Sequence, residues 1–135
     1  MPAPLSKLKG VSPELATRFK ERGLTTTNQL LAVAGTPEGR EMLAAQMRAD
    51  AGLILRLTKR ADLLRIEGIG DVYVELLEEA GVDSTRELAR SHPERLYAQL
   101  MTVNITNQVT RRPPTLTKVR RWVAQAERLA EIVQF

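Results

Sequence analysis

One short phrase occurs twice in this chain and limits what it can fold into. Ile66-Glu67-Gly68-Ile69-Gly70-Asp71 follows, 58 residues later, the pattern of Leu8-Lys9-Gly10-Val11-Ser12-Pro13: apolar, polar, Gly, apolar, small residue, helix start. An ungapped overlay also pairs Leu5 with Leu63, Phe19 with Leu77, Gly23 with Gly81, Leu24 with Val82, Thr27 with Thr85 and Leu30 with Leu88. The matches fall on glycines, caps and apolar positions, where a repeated backbone needs them. The chain reads as a duplication within a single domain, with one unit over residues 5–64 and a second over 65–135.

Each glycine turn carries a chemical implication. Glycine accepts positive φ at little steric cost, so Gly10 and Gly68 allow a sharp bend between helices. Ser12 is placed to cap a helix with Pro13 at its first position, and Gly70 to stand at the N-cap of a helix over 71–80. Backbone amides beside a helix N-terminus suit an anion, most often a phosphate oxygen.

Apolar residues recur at helical spacing almost throughout, and only five of the 135 residues are aromatic, so the expected class is all-α around one continuous core. Further helices are expected from Thr26, Thr36 and Asp50, the last running through Leu64. In the second copy, Ser84 with Glu87 and Ser91 with Glu94 read as capping boxes. Residues 104–114 read as a loop, followed by a helix from Thr115 or Thr117 that carries Trp122. Leu8, Val11, Leu15, Phe19, Leu24, Leu30, Leu57, Leu64, Ile66, Ile69, Leu76, Leu77, Val82, Leu88, Trp122 and Leu129 are expected in the core.

Gly68-Ile69-Gly70 with its following helix and Ala80-Gly81-Val82 resembles a helix-hairpin-helix motif, an element that grips DNA backbone in repair and recombination proteins. The whole order resembles the DUF4332 family, a domain of unknown function built on tandem hairpins. That likeness rests on Gly10-Val11, Thr36-Pro37-Glu38-Gly39-Arg40, Ala61-Asp62-Leu63-Leu64-Arg65-Ile66, Ala80-Gly81-Val82-Asp83 and the Trp122 helix, and it spans nearly the full chain. It implies a fold and no assigned activity. Two positions depart from the DNA-binding pattern: Ser12 stands where the first hairpin would have its second glycine, and Asp71 opens the second helix.

The absence of cysteine excludes disulfide and thiol chemistry and, with no leader-like start, suggests a cytoplasmic protein. No apolar run approaches a membrane span. His92 is the only histidine, placed at a helix start, and the carboxylates at Asp71, Glu75, Glu78 and Glu79 suit a solvated helix face. No metal spacing, nucleophile motif or phosphate loop is present, so the expectation is a binding protein rather than an enzyme, with no cofactor or small-molecule substrate.

A net charge of +4 admits a nucleic-acid partner without requiring one. The candidate contacts are the amides of Gly10, Val11, Ser12, Gly68, Ile69 and Gly70, the side chains of Lys7, Lys9 and Arg18, and a C-terminal set of Arg111, Arg112, Lys118, Arg120 and Arg121. The charges of the two copies differ. Residues 7–22 hold five bases and two acids, whereas residues 67–83 hold six acids and no base. The competing expectation is a protein-interaction scaffold, or a chain that pairs with its own copies, using that same polarity.

Overall fold

The structure is a computed structural model that describes residues 3–135. The described residues form eight α-helices and one turn of 3-10 helix, with a single isolated bridge between Pro4 and Thr26 in place of any sheet. The fold is all-α. Two compact units make it up: the described residues through Asp62 together with Glu131–Phe135, and Leu63–Ala130.

In the first unit the 3-10 turn at Leu5–Lys7 leads through Gly10 into α1, Pro13–Glu21. The Ser12 hydroxyl accepts from the Leu15 amide at 3.1 Å and Pro13 occupies the first helical position, so the helix start is fixed locally. Gly23, at φ +75°, ends it, with its amide donating to Lys20 O and that of Leu24 to Phe19 O, both at 2.9 Å. A reciprocal box between Thr26 and Gln29 opens α2, Thr27–Ala34, and Thr36 caps α3, Pro37–Met47. Helix α4 covers Ala51–Leu63. Leu5, Phe19, Leu30, Ile54 and Leu57 are fully buried, each side chain worth about 1.5–3 kcal/mol to folding.

Arg40 is also buried. Its guanidinium donates to Ala34 O at 3.0 Å and Gly35 O at 3.1 Å, at the end of α2, and to Gln134 O in the C-terminal segment. The Gln134 amide returns a bond to Gly35 O at 2.7 Å, and Val133 is buried beside this closure. Burial lowers the Arg40 pKa, while Glu38 and Glu41 act in the opposite sense.

The second unit has α5 at Asp71–Glu79, α6 at Thr85–Ala89, α7 at Pro93–Asn107 and α8 at Leu116–Arg128. Its core gathers Leu63, Ile66, Ile69, Leu76, Leu77, Leu96, Leu100, Val119 and Trp122. The local geometry of the first unit recurs here. Gly10 and Gly68 have φ of +95° and +92°, Gly23 and Gly81 of +75° and +89°, and Val82 N donates to Leu77 O as Leu24 N does to Phe19 O.

Three details differ from the sequence expectation. Helix α7 runs to Asn107 instead of giving way to a loop at residue 104, because the Asn104 side chain binds both polar groups of the Thr110 backbone and Gln108 closes the helix in a left-handed conformation. His92, rather than Ser91, caps that helix, its Nδ1 accepting from Arg95 N at 3.5 Å, while the Ser91 hydroxyl donates to Glu87 O. Val11, Leu64 and Leu129 are half-buried. Val11 and Leu64 lie in turns, and Leu129 is the extended cap of α8.

Candidate functional site

The two glycine turns are built alike, and each is held by the last helix of its own unit. In the first, the Val11 amide donates to Leu8 O at 3.0 Å; in the second, Ile69 donates to Ile66 O at 3.2 Å. Those two amides are therefore spent inside the turn. Gly10 and Ser12, and likewise Gly68 and Gly70, have amides with no acceptor among the described residues, and all four residues are exposed. They are the backbone donors left to meet an anion.

What secures the turns escapes a reading of either stretch alone. Arg60 of α4 donates through Nη1 to Lys9 O at 2.8 Å. In the second unit Gln125 of α8 donates through Nε2 to Glu67 O at 3.2 Å and accepts from the Glu67 amide at 2.9 Å. A Cβ on Gly10 would lie 2.7 Å from that Arg60 nitrogen and 3.1 Å from Leu57 Cδ2, and one on Gly68 would lie 3.3 Å from Trp122 Nε1. Leu57 with Trp122 and Arg60 with Gln125 are each 65 positions apart, so α4 and α8 correspond residue by residue. The buried positions agree: Ile54 with Val119, Thr58 with Val123, Ala61 with Ala126. The signal was present as an apolar stripe shared at that offset, hidden because the linker before α8 is longer than the one before α4.

The side chains around the turns divide by chemistry. Lys7 and Lys9 are exposed beside the Gly10 turn. Arg18 lies about 9 Å further along the α1 axis, at 1.5 Å per residue from Ser12, and its Nη1 donates to Met47 O at 3.2 Å. It belongs to the C-terminal end of α3 more than to the turn. At the second turn Glu67 and Asp71 are exposed and α5 continues with Glu75, Glu78 and Glu79.

Arg111, Arg112, Lys118, Arg120 and Arg121 are exposed in the second unit, before and along α8. Arg120 is bound to Glu94 at 2.8 Å and 3.1 Å, and this bond foremost lowers the Glu94 pKa. Lys118 Nζ stands 5.9 Å from the Tyr73 ring centre, and Tyr73 donates to the Arg112 carbonyl at 2.9 Å. Trp122 is buried, with its ring centre 5.2 Å from that of Tyr73, so it offers no platform for a base.

Among the described residues no group of three or more His, Asp or Glu is arranged to hold a metal ion, and no helix is long and apolar enough to cross a membrane. A family model described as a domain of unknown function (DUF4332) matches residues 9–129. Neither a curated protein nor a solved structure matches the chain.

Proposed function

We propose that this chain, which belongs to the DUF4332 family, is a non-enzymatic cytoplasmic binding module that meets nucleic-acid backbone weakly, without regard to sequence, through its first glycine turn. The carrying observation is the pairing of two open amides, Gly10 and Ser12, with the exposed Lys7 and Lys9. Amides at a helix start orient a phosphate oxygen, and lysines supply the electrostatic attraction that favours counterion release. The helix-hairpin-helix reading of the motif supports the same contact. The second turn offers the same amides among carboxylates, so it contributes little or opposes binding.

The charge difference between the copies also favours a second reading, in which the acidic α5 of one molecule meets the basic α1 of another. Titrating labelled duplex DNA by fluorescence anisotropy over a salt series, with light scattering on the same sample, tests both. Backbone binding gives a linear log–log salt dependence, a loss of about tenfold or more on Lys7→Glu with Lys9→Glu, and tighter binding on Asp71→Lys. No binding at low salt eliminates the nucleic-acid reading, and a mass above that of one chain that falls with salt supports self-association.

A further inference from the structure

A cleft of ≈ 190 Å³ in the first unit, between α1 and the end of α3, is lined by Arg18, Glu21, Arg22, Gln46, Met47 and Arg48. We propose that it is a phosphate-binding site, separate from the glycine turn. Arg18 donates once, to Met47 O, and Arg22 donates once, through Nη2 to Gln46 O at 2.8 Å. These bonds satisfy carbonyls at the C-terminus of α3 and fix two guanidiniums in place, each with further N–H groups to offer. Arg48 makes no side-chain hydrogen bond or ion pair among the described residues, and Glu21 pairs with none of the three arginines.

Three fixed or free guanidiniums around one opening suit a group with several acceptor oxygens and a double negative charge. Fork-shaped donors bind phosphate in pairs. The converging C-termini of α1 and α3 bring partial negative charge, and the Arg18 and Arg22 bonds cover the Met47 and Gln46 carbonyls on the α3 side.

The second unit shows what this place is like without the arginines. Its corresponding cleft, ≈ 360 Å³, is lined by Glu79, Ala80, Ala98, Gln99, Thr102 and Val103. Glu79 and Ala80 stand for Glu21 and Arg22, Thr102 and Val103 for Gln46 and Met47, and Leu76, buried, for Arg18. Helix α7 continues past this point to Asn107, whose Nδ2 binds Glu79 Oε2 at 2.9 Å. Helix α3 stops at Met47, so its last carbonyls face the cleft and arginines can reach them. The same fold thus carries an internal control.

This inference stands independently of the backbone contact proposed for the turn. Its test uses the full chain and a variant at the α3 C-cap that keeps the cap's backbone conformation. Arg48 sits at φ +54°, where glycine is preferred, so Arg48→Gly removes one guanidinium while easing the backbone. NMR titration with inorganic phosphate, at constant ionic strength, is expected to shift signals of residues 18–22 and 46–48 saturably, leave those of residues 76–80 and 102–103 in place, and weaken roughly tenfold in Arg48→Gly. The Lys7→Glu, Lys9→Glu variant retains this phosphate binding even where it loses DNA. A second arm adds a short duplex: competition with phosphate for the same residues identifies a nucleic-acid phosphate as the source, and phosphate binding without duplex binding identifies a small phosphorylated ligand. Absence of a saturable shift, or one unchanged in Arg48→Gly, overturns the proposal.

Discussion

At corresponding places in the fold, the first unit sets arginines where the second sets hydrocarbon. Arg18 answers to Leu76 at an offset of 58, and Arg40 to Leu96, 56 apart, just after the matching pair of prolines Pro37 and Pro93. Leu76 and Leu96 are fully buried in their cluster, whereas Arg18 and Arg40 reach carbonyls at helix ends. One architecture therefore fills the same positions in two ways. Guanidiniums satisfy orphan carbonyls and leave spare donors, while leucines gain by exclusion from water and leave none. At Arg18 the arginine solution leaves a charged group with N–H donors to spare where the second unit has only hydrocarbon.

The comparison can be broken most sharply at Arg40 and Leu96. Leu96→Ala is expected to cost about 2–5 kcal/mol in urea unfolding, the usual cost of emptying a packed site. Arg40→Ala is expected to cost about 1.5–3 kcal/mol, since the carbonyls of Ala34, Gly35 and Gln134 lose a charged donor. If Arg40→Ala left stability unchanged, carbonyl closure would not be what holds that end of the first unit.

A smaller effect tests the clamps on the turns. Arg60→Ala and Gln125→Ala should each cost about 0.5–1.5 kcal/mol and raise amide hydrogen exchange at Val11 in the first unit and at Glu67 and Ile69 in the second. Equal protection before and after substitution would show that the turns hold their shape without α4 and α8.

The smallest effect concerns pH. Arg120 lowers the Glu94 pKa, so the contribution of that exposed pair is present above the unfolded carboxyl pKa and is lost as pH falls through the lower, folded one. NMR titration should place the Glu94 midpoint below that of an unpaired glutamate, and Arg120→Ala should raise it. A midpoint indifferent to that change would mean that the bond does not persist in solution.

Most of the local geometry was legible because it is chosen by residues close in sequence. Ser12, Thr26, Thr36 and Thr115 cap the helices expected of them, and Gly10, Gly23, Gly68 and Gly81 occupy the positive-φ positions that end or bend those helices. The extension of α7 was obscured by Asn104, Ile105 and Thr106, residues of weak helix propensity. Their place is secured by Asn104, which binds both polar groups of the Thr110 backbone at 2.9 Å. Of the six turn amides read as phosphate donors, Val11 and Ile69 prove to be engaged within their turns.

The amino-acid order alone determined an all-helical chain with glycine turns 58 residues apart and opposite charge around them, because caps, glycines and apolar spacing act over a few residues. Only the tertiary structure decided which arginines hold carbonyls and which remain open. Arg40 meets Gln134 across 94 residues and Arg60 meets Lys9 across 51. Such distant pairings depend on how helices pack, and side chains of the same charge become structural or available according to the carbonyls that packing brings within reach.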